Sequence, residues 1–235
     1  MSPSPLQVLA IDIGGSKSKA AIVDSNGTWH SERERLPTPK LATPKDLLPV
    51  LRELGALLDM PFARVGVGFP GVVRDGVTLN APNLGKGWKG YPLADRLEKL
   101  FGTPCRANND ADVQGLAVIE GQGTELVLTL GTGIGSALFR DGVLLPNTEL
   151  GHLPFKKGQS FEKRLGEAAL LARGKDDWCA EILEAIELLR EGTAFDQLYL
   201  GGGNARILEK RDQLPPGVRC VRNRAGITGA ARLWA

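Results

Sequence analysis

An α/β fold built from a duplicated unit is what this sequence predicts, and three observations predict it. First, "AIDIGGSKSKAAIVDSNG" (10–27) can be laid on "VLTLGTGIGSALFRDG" (127–142). Ile11-Asp12-Ile13-Gly14-Gly15-Ser16 then matches Leu128-Thr129-Leu130-Gly131-Thr132-Gly133: a buried-type strand, a glycine turn, an outgoing strand and an Asp-containing turn. Second, strand-like runs alternate with segments of helical periodicity, the pattern of α/β proteins. Third, another glycine turn, 201–203, also follows an apolar run, and α/β sheets place ligands at such strand ends. Two lobes with a cleft between them are expected.

Taken in order, "LQVLAIDIGG" and "SKAAIVDSNG" read as two strands around a glycine turn. "TPKDLLPVLRELGALLD" (43–59) puts leucines 47, 48, 51, 54, 57 and 58 on one helical face. Thr43 suits the N-cap and Pro44 the first helical position, while Pro49 conflicts with a continuous helix. "ARVGVGFPG" reads as a strand ending in a tight loop, and "PLADRLEKLFG" as a short helix. "NNDADVQGLAVIEG" starts a helix with acidic residues in its first turn. "ELVLTLGTG" repeats the strand-into-glycine form; helices follow near 160–173 and 175–191. "FDQLYLGGGNARILEK" is strand, glycine turn, helix, and "RAGITGAARLWA" reads as a helix. The lobes are expected to comprise 1–108 with 223–235, and 109–222. "MSPSP" reads as a frayed tail.

Composition narrows the function classes. The 235 residues are 42% hydrophobic and 24% charged, as in ordinary globular proteins. A net charge of +2 is too small to argue for nucleic acid or an anionic membrane. No signal peptide or membrane-spanning run is evident, and Cys105, Cys179 and Cys220 form neither a CxxC pair nor a disulfide framework. A reduced cytoplasm is expected.

The glycine turns suggest phosphate. Successive backbone N–H groups in such turns make anion sites, although any one turn could simply be a tight hairpin. GxxxxGK[ST] is absent, and the turn at 131–135 is not GxGxxG, since the spacing after Gly131 and Gly133 gives Ser136. Asp12, inside an apolar strand, is costly to bury unpartnered. It could accept bonds from its own turn, or help hold Mg²⁺, which takes one or two carboxylates plus phosphate oxygens. "NND" (108–110) could cap a helix, or Asp110 could be a general base with Asn109 orienting the substrate. Glu149 and His152 in "NTELGHL" are three apart and share a face in a helical turn; a metal pair is the alternative, with no third ligand nearby. Asn83 in "APNLGKGWKG" adds another polar group of the kind that pairs sugar hydroxyls.

On "DIGGSK", "GFPG", "APNLGKGWKG", "NNDADVQGLA", "LTLGTGIGSALFRDG", "NTELGHL", "YLGGGNAR" and "AGITGAA", the sequence resembles the ROK family of sugar kinases, most of all its polyphosphate glucokinase branch. These segments run in family order over nearly the whole chain. The resemblance implies a duplicated ribonuclease-H-like (actin-like ATPase) fold and transfer of a phosphoryl group from polyphosphate, or also ATP, to the 6-hydroxyl of glucose. It makes Asp110 the catalytic base and Asn109, Asp110, Glu149 and His152 the sugar set, with Asn83 often added. Gly14, Gly15 and Ser16 match the first phosphate turn, and Gly131, Thr132 and Gly133 the second. Gly201, Gly202 and Gly203 match the turn that lies near the nucleoside in ATP-using relatives, and Asp12 the residue supporting Mg²⁺.

There are departures. "GHLPFKKGQSFEKRLG" lacks the cysteines of the common zinc motif, so no structural zinc is expected, as in the polyphosphate branch. Glu162 is the candidate for a second sugar-binding glutamate, at altered spacing. Lys17 matches a lysine common in ROK kinases and Lys19 one found in the polyphosphate enzymes; this chain has both. Lys86, Lys89, Lys156, Lys157, Lys163 and Arg164 could form a cationic track for polyphosphate, or a solvated face. A homodimer is implied. A kinase for another hexose or amino sugar, a non-catalytic sugar-binding member and a phosphate-binding hydrolase are the competing readings.

Overall fold

Two five-stranded sheets with the same strand pattern organise the chain. The computed structural model describes residues 5–211, 214–221 and 224–235; residues 1–4 of the expected tail lie outside the described residues. The chain divides into two compact units, Met1–Ala117 with Arg224–Ala235, and Val118–Asn223.

In the first unit the strands are β1 (Gln7–Ile13), β2 (Lys17–Asp24), β3 (Glu34–Pro37), β4 (Arg64–Phe69), the short β5 (Val73–Arg74) and β6 (Val77–Thr78), and β7 (Cys105–Asn109). The sheet order is β3-β2-β1-β4-β7, with β1, β2 and β3 antiparallel and β4 and β7 joined in parallel. Alternation along β1 and β2 sorts their side chains to two faces. Leu9, Ile11, Ala20 and Ile22 pack with Leu47, Leu51 and Leu54 of α1 (Pro44–Leu57) and with Leu93 and Leu97 of α2 (Leu93–Phe101). Val8, Ala10, Ala21 and Val23 pack with Val113 of α3 (Asp110–Leu116), and with Ile227, Ala230 and Ala231 of a helix from the far end of the sequence. Helix α1 runs through Pro49, against the sequence-based conflict. Burial of its leucine face and the Thr43–Asp46 capping box outweigh the one missing N–H.

The second unit holds β8 (Thr124–Leu130), β9 (Ile134–Arg140), β10 (Val143–Leu145), β11 (Gln197–Gly201) and β12 (Val218–Cys220), ordered β10-β9-β8-β11-β12. Again three antiparallel strands are followed by two in parallel. Leu126, Leu128 and Leu130 pack with α4 (Phe161–Leu165) and α6 (Lys175–Thr193). Helices α5 (Glu167–Arg173) and α7 (Ala205–Glu209) complete this unit, and α8 (Ala225–Arg232) returns to the first.

Two features differ from the sequence-based expectation. The helix expected over 160–173 is broken at Gly166, where an added Cβ would lie 2.8 Å from the Thr132 carbonyl oxygen. The helix start read in "NNDADVQGLAVIEG" is that of α3, with Asp110 and Asp112 in its first turn. The unit boundary falls at 117/118 instead of 108/109, because α3 packs on β4 and α8. The other expected boundary, 222/223, lies outside the described residues.

Candidate functional site

The candidate residues form one group in each unit. In the first, Gly14–Ser16 join β1 to β2. Buried Thr38 donates from Oγ1 to the Gly14 carbonyl at 2.7 Å, and its N–H donates to the Ser16 carbonyl at 3.0 Å. Ser18 Oγ is 3.0 Å from Thr38 Oγ1; since Thr38 gives its only hydroxyl proton to Gly14, Ser18 is the donor. The turn's carbonyls are thus held inward, and Gly15 and Ser16 are exposed. Among the described residues the N–H groups of Gly15 and Ser16 have no protein acceptor. Backbone N–H groups left open in this way are what an anion site requires.

Asp12 has the partner its position demands. The β1–β2 register sets Asp12 opposite Lys19, and Lys19 Nζ donates to Asp12 Oδ2 at 2.9 Å. Lys17 lies two residues along the same sheet face and is exposed. The Asp12 carboxyl also sits against the first turn of α8, where a Cβ on Gly226 would come within 3.1 Å of Asp12 Cγ. Asn83 is exposed beside the same turn, its carbonyl oxygen 3.6 Å from where a Gly15 Cβ would be.

Asn109 ends β7 and caps α3. Its Oδ1 accepts from the N–H groups of Ala111 (2.8 Å) and Asp112 (3.3 Å), and its Nδ2 donates to the Gly71 carbonyl at 3.2 Å. The capping alternative is therefore realised, and the side chain also ties the "GFPG" loop to the helix start. Asp110 is the first residue of α3 and is half-buried.

In the second unit Gly131–Gly133 turn from β8 into β9. Glu167 donates its N–H to the Gly131 carbonyl at 3.0 Å, and Gly135 N–H donates to Thr129 Oγ1 at 3.2 Å. Among the described residues the N–H groups of Thr132 and Gly133 have no protein acceptor. Glu162 belongs beside this turn: a Cβ on Gly133 would meet its carboxyl at 3.2 Å. The 201–203 turn packs on the same corner through Asn204, whose N–H donates to the Leu130 carbonyl at 3.0 Å.

Glu149 and His152 are held by β9. Buried Ser136 donates from Oγ to the Thr148 carbonyl and accepts the Leu150 N–H at 2.9 Å. Gly151 presses onto the Ile134 carbonyl, where a Cβ would be at 2.3 Å. In the resulting 3₁₀ turn, Leu150–His152, His152 Nε2 lies 3.5 Å from Glu149 Oε2. Burial raises the Glu149 carboxyl above its ordinary pKa; His152 opposes the shift and Glu162 adds to it. Glu149, His152 and Glu162 therefore form one local set.

The expected cationic track is altered. Lys156 pairs with Glu184, and Arg164 shares Glu181 with Arg173, so two of its six members are neutralised by carboxylates. Among the described residues no three His, Cys, Asp or Glu side chains gather as a metal site. Asp12 nevertheless fits a divalent cation carried in on phosphate oxygens, because Lys19 engages its Oδ2 and among the described residues no hydrogen bond engages its Oδ1. No helix among the described residues is long and apolar enough to cross a membrane.

Thr38, Ser136 and Gly226 are positioning residues that sequence reasoning missed. Only the strand register and the return of α8 bring them to the turns.

Paired sheets of this topology with glycine turns at their strand ends define the actin-like α/β fold, here in a sugar phosphotransferase. The family described as "ROK family" matches residues 8–199. The polyphosphate glucokinase of Mycobacterium tuberculosis (strain ATCC 25177 / H37Ra) is 35% identical over 243 residues, covering 94% of this chain and 88% of its own. The N-acetylmannosamine kinase of Escherichia coli (strain SMS-3-5 / SECEC) is 39% identical over 211 residues, covering 86% and 68%. The solved inorganic polyphosphate/ATP-glucomannokinase from Arthrobacter sp. strain KM superposes with a TM-score of 0.87 at 34% identity, covering 96% of this chain and 97% of that one. The ROK family glucokinase from Streptomyces griseus in complex with glucose and AMPPNP shares the fold, with a TM-score of 0.78 at 21% identity and coverage of 97% and 99%. The chain belongs to the ROK family.

Proposed function

We propose that this protein is a glucokinase that transfers the terminal phosphoryl group of polyphosphate, and also of ATP, to the 6-hydroxyl of glucose. The observation that carries the reading is the pair of glycine turns, Gly15–Ser16 and Thr132–Gly133, whose N–H groups have no protein acceptor among the described residues, one in each ROK half. Phosphoryl transfer asks mainly for positioning and charge neutralisation, and such amides supply both. The polyphosphate glucokinase and glucomannokinase relatives support the donor and the acceptor.

In this mechanism Asp110 of the first unit takes the 6-hydroxyl of glucose, and Glu149, His152 and Glu162 are the sugar-binding candidates of the second unit. Asp110 accepts the O6 proton as O6 attacks the terminal phosphorus, and the bridging P–O bond breaks to release the shortened chain. Lys17 and the turn amides neutralise the donor oxygens. Mg²⁺ would be held by Oδ1 of Asp12 together with donor phosphates, where it would neutralise developing charge. Asn109 acts by fixing the start of α3, and so the position of Asp110.

A coupled assay for glucose 6-phosphate, run with polyphosphate and separately with ATP, tests the reading. Asp110→Asn keeps the α3 start and is expected to lower kcat by ~10² or more. An Asn variant near wild-type rate removes Asp110 as base, and no product with either donor overturns the assignment. The E. coli relative makes N-acetylmannosamine the second acceptor to assay. Faster turnover on that sugar would make the protein an amino-sugar kinase.

A further inference from the structure

A cationic cavity lies on the same sheet face as Lys17 and Lys19. Its volume is about 290 Å³, and Trp29, Glu32, Arg33, Arg35 and Arg224 line it. Strand pairing explains the convergence. Lys19 and Arg35 are opposite one another across β2 and β3, so they share a face, and Arg33 follows at the same alternation. Trp29 bridges to Val23 at the far end of β2. Arg224, just before α8, stacks over the Trp29 ring with its guanidinium carbon 5.0 Å from the centroid.

The lining is three guanidiniums against one carboxylate. Among the described residues none of Arg33, Arg35 and Arg224 is paired with a carboxylate, unlike Arg164 and Arg173. Three guanidiniums gathered beside an aromatic ring exceed the one carboxylate among them, and a fork of donors suits phosphate. From Lys17 to Val23 the strand runs six residues, about 20 Å at 3.3 Å per residue. That distance is too long for the phosphates of one nucleotide and suits a linear chain.

We propose that this cavity is a distal subsite for linear polyphosphate. The chain would run from the Gly15–Ser16 cradle past Lys17 and Lys19 to Arg35, Arg33 and Arg224. The proposal rests on the polyphosphate-donor reading above and places the donor's remote end on the first unit, away from Lys156 and Arg164.

The test compares wild type, the triple variant Arg33→Gln/Arg35→Gln/Arg224→Gln, and Arg52→Gln, which removes one exposed charge from α1 on the other sheet face. KM and kcat are measured with long-chain polyphosphate, tripolyphosphate and ATP, and long-chain binding is titrated directly. The triple variant is expected to raise KM and Kd for the long chain about tenfold or more, the sum of several partly exposed charge contacts. KM for tripolyphosphate and ATP should move less than twofold, and Arg52→Gln should change neither. Equal long-chain KM in wild type and triple variant overturns the subsite and leaves the kinase reading standing. So does a uniform loss with all three donors, which would mark the arginines as structural. A wild type that neither binds nor uses long chains, while phosphorylating glucose from ATP, overturns the donor reading and the subsite together.

Discussion

Replacing Glu125 should cost the second unit far more than its lack of a catalytic role suggests. The side chain is 1% exposed, at the start of β8. Its Oε1 accepts the Glu120 N–H at 2.7 Å and the Tyr199 hydroxyl at 2.6 Å. Its Oε2 accepts the Gly121 and Gln122 N–H groups at 2.7 and 3.1 Å. In Glu125→Gln the new NH₂ must face one of these pairs. Turned toward Oε2's partners, it opposes two backbone donors. Turned toward Oε1's, Tyr199 can rotate to accept, but the Glu120 N–H is orphaned. At least one buried donor is lost, at about 1–3 kcal/mol, and the surviving bonds lose charge assistance. Relief of the carboxylate's desolvation offsets part of this, leaving about 2–4 kcal/mol. By contrast, the exposed Arg140–Asp141 pair is worth at most about 1 kcal/mol. The assay is guanidinium unfolding read by hydrogen exchange at Thr124–Leu130 amides, which reports this unit alone. Tyr199→Phe removes one of the same bonds, so the double variant should cost less than the sum of the singles. A Glu125→Gln cost under about 1 kcal/mol, or strict additivity with Tyr199→Phe, would refute the reasoning.

Other outcomes follow from the same structure. Gly66→Ala puts a methyl 1.9 Å from the Ala230 carbonyl oxygen, so α8 must shift from β4. A loss of about 3 kcal/mol or more is expected, seen as a lower Tm and faster proteolysis at residues 225–232. Under the proposed sugar-binding role Glu149 acts as a carboxylate, and burial raises its pKa. KM for glucose should therefore rise as pH falls, starting above the ordinary carboxylate range, and Glu149→Gln should flatten that limb. Burial lifts both tyrosines above the ordinary value of 10.0, Tyr199 to about 12 with Glu125 adding to the shift. Neutral Tyr199 stabilises the fold below the ordinary pKa, and that stability is lost as pH rises toward 12. Absorbance titration should show phenolate only above pH 10, with Tyr199 released near or upon unfolding.

The candidate site residues were legible because short-range chemistry marks them. Glycine turns after apolar runs, a carboxylate inside a strand and an Asn-Asp pair before a helix all announce themselves locally. What was hidden depends on register. Lys19 neutralises Asp12 because β1 and β2 pair with those residues opposite, which composition cannot show. Asn109 carries both possibilities in its type, and only Gly71's approach and the start of α3 reveal its structural engagement. The break at Gly166 was missed because the Thr132 carbonyl that crowds this glycine comes from another element. Most of the chain separates Arg33 and Arg35 from Arg224, so their convergence on one cavity is not written in local sequence.

The dependence of the first sheet on α8 bears on how the chain is made. Ile227, Ala230 and Ala231 bury against Val8, Ala10, Ala21 and Val23, and Gly226 supports Asp12. A ribosome emits the N-terminal strands long before the segment that seals one side of them. The second unit, by contrast, is contiguous from Val118 to Asn223. It can consolidate on the nascent polypeptide while its neighbour waits with an uncovered apolar flank, a window in which chaperone capture has its target. The sheet face that leads into the Gly14–Ser16 turn is thus the last part of the first unit to be covered, once translation has passed residue 232.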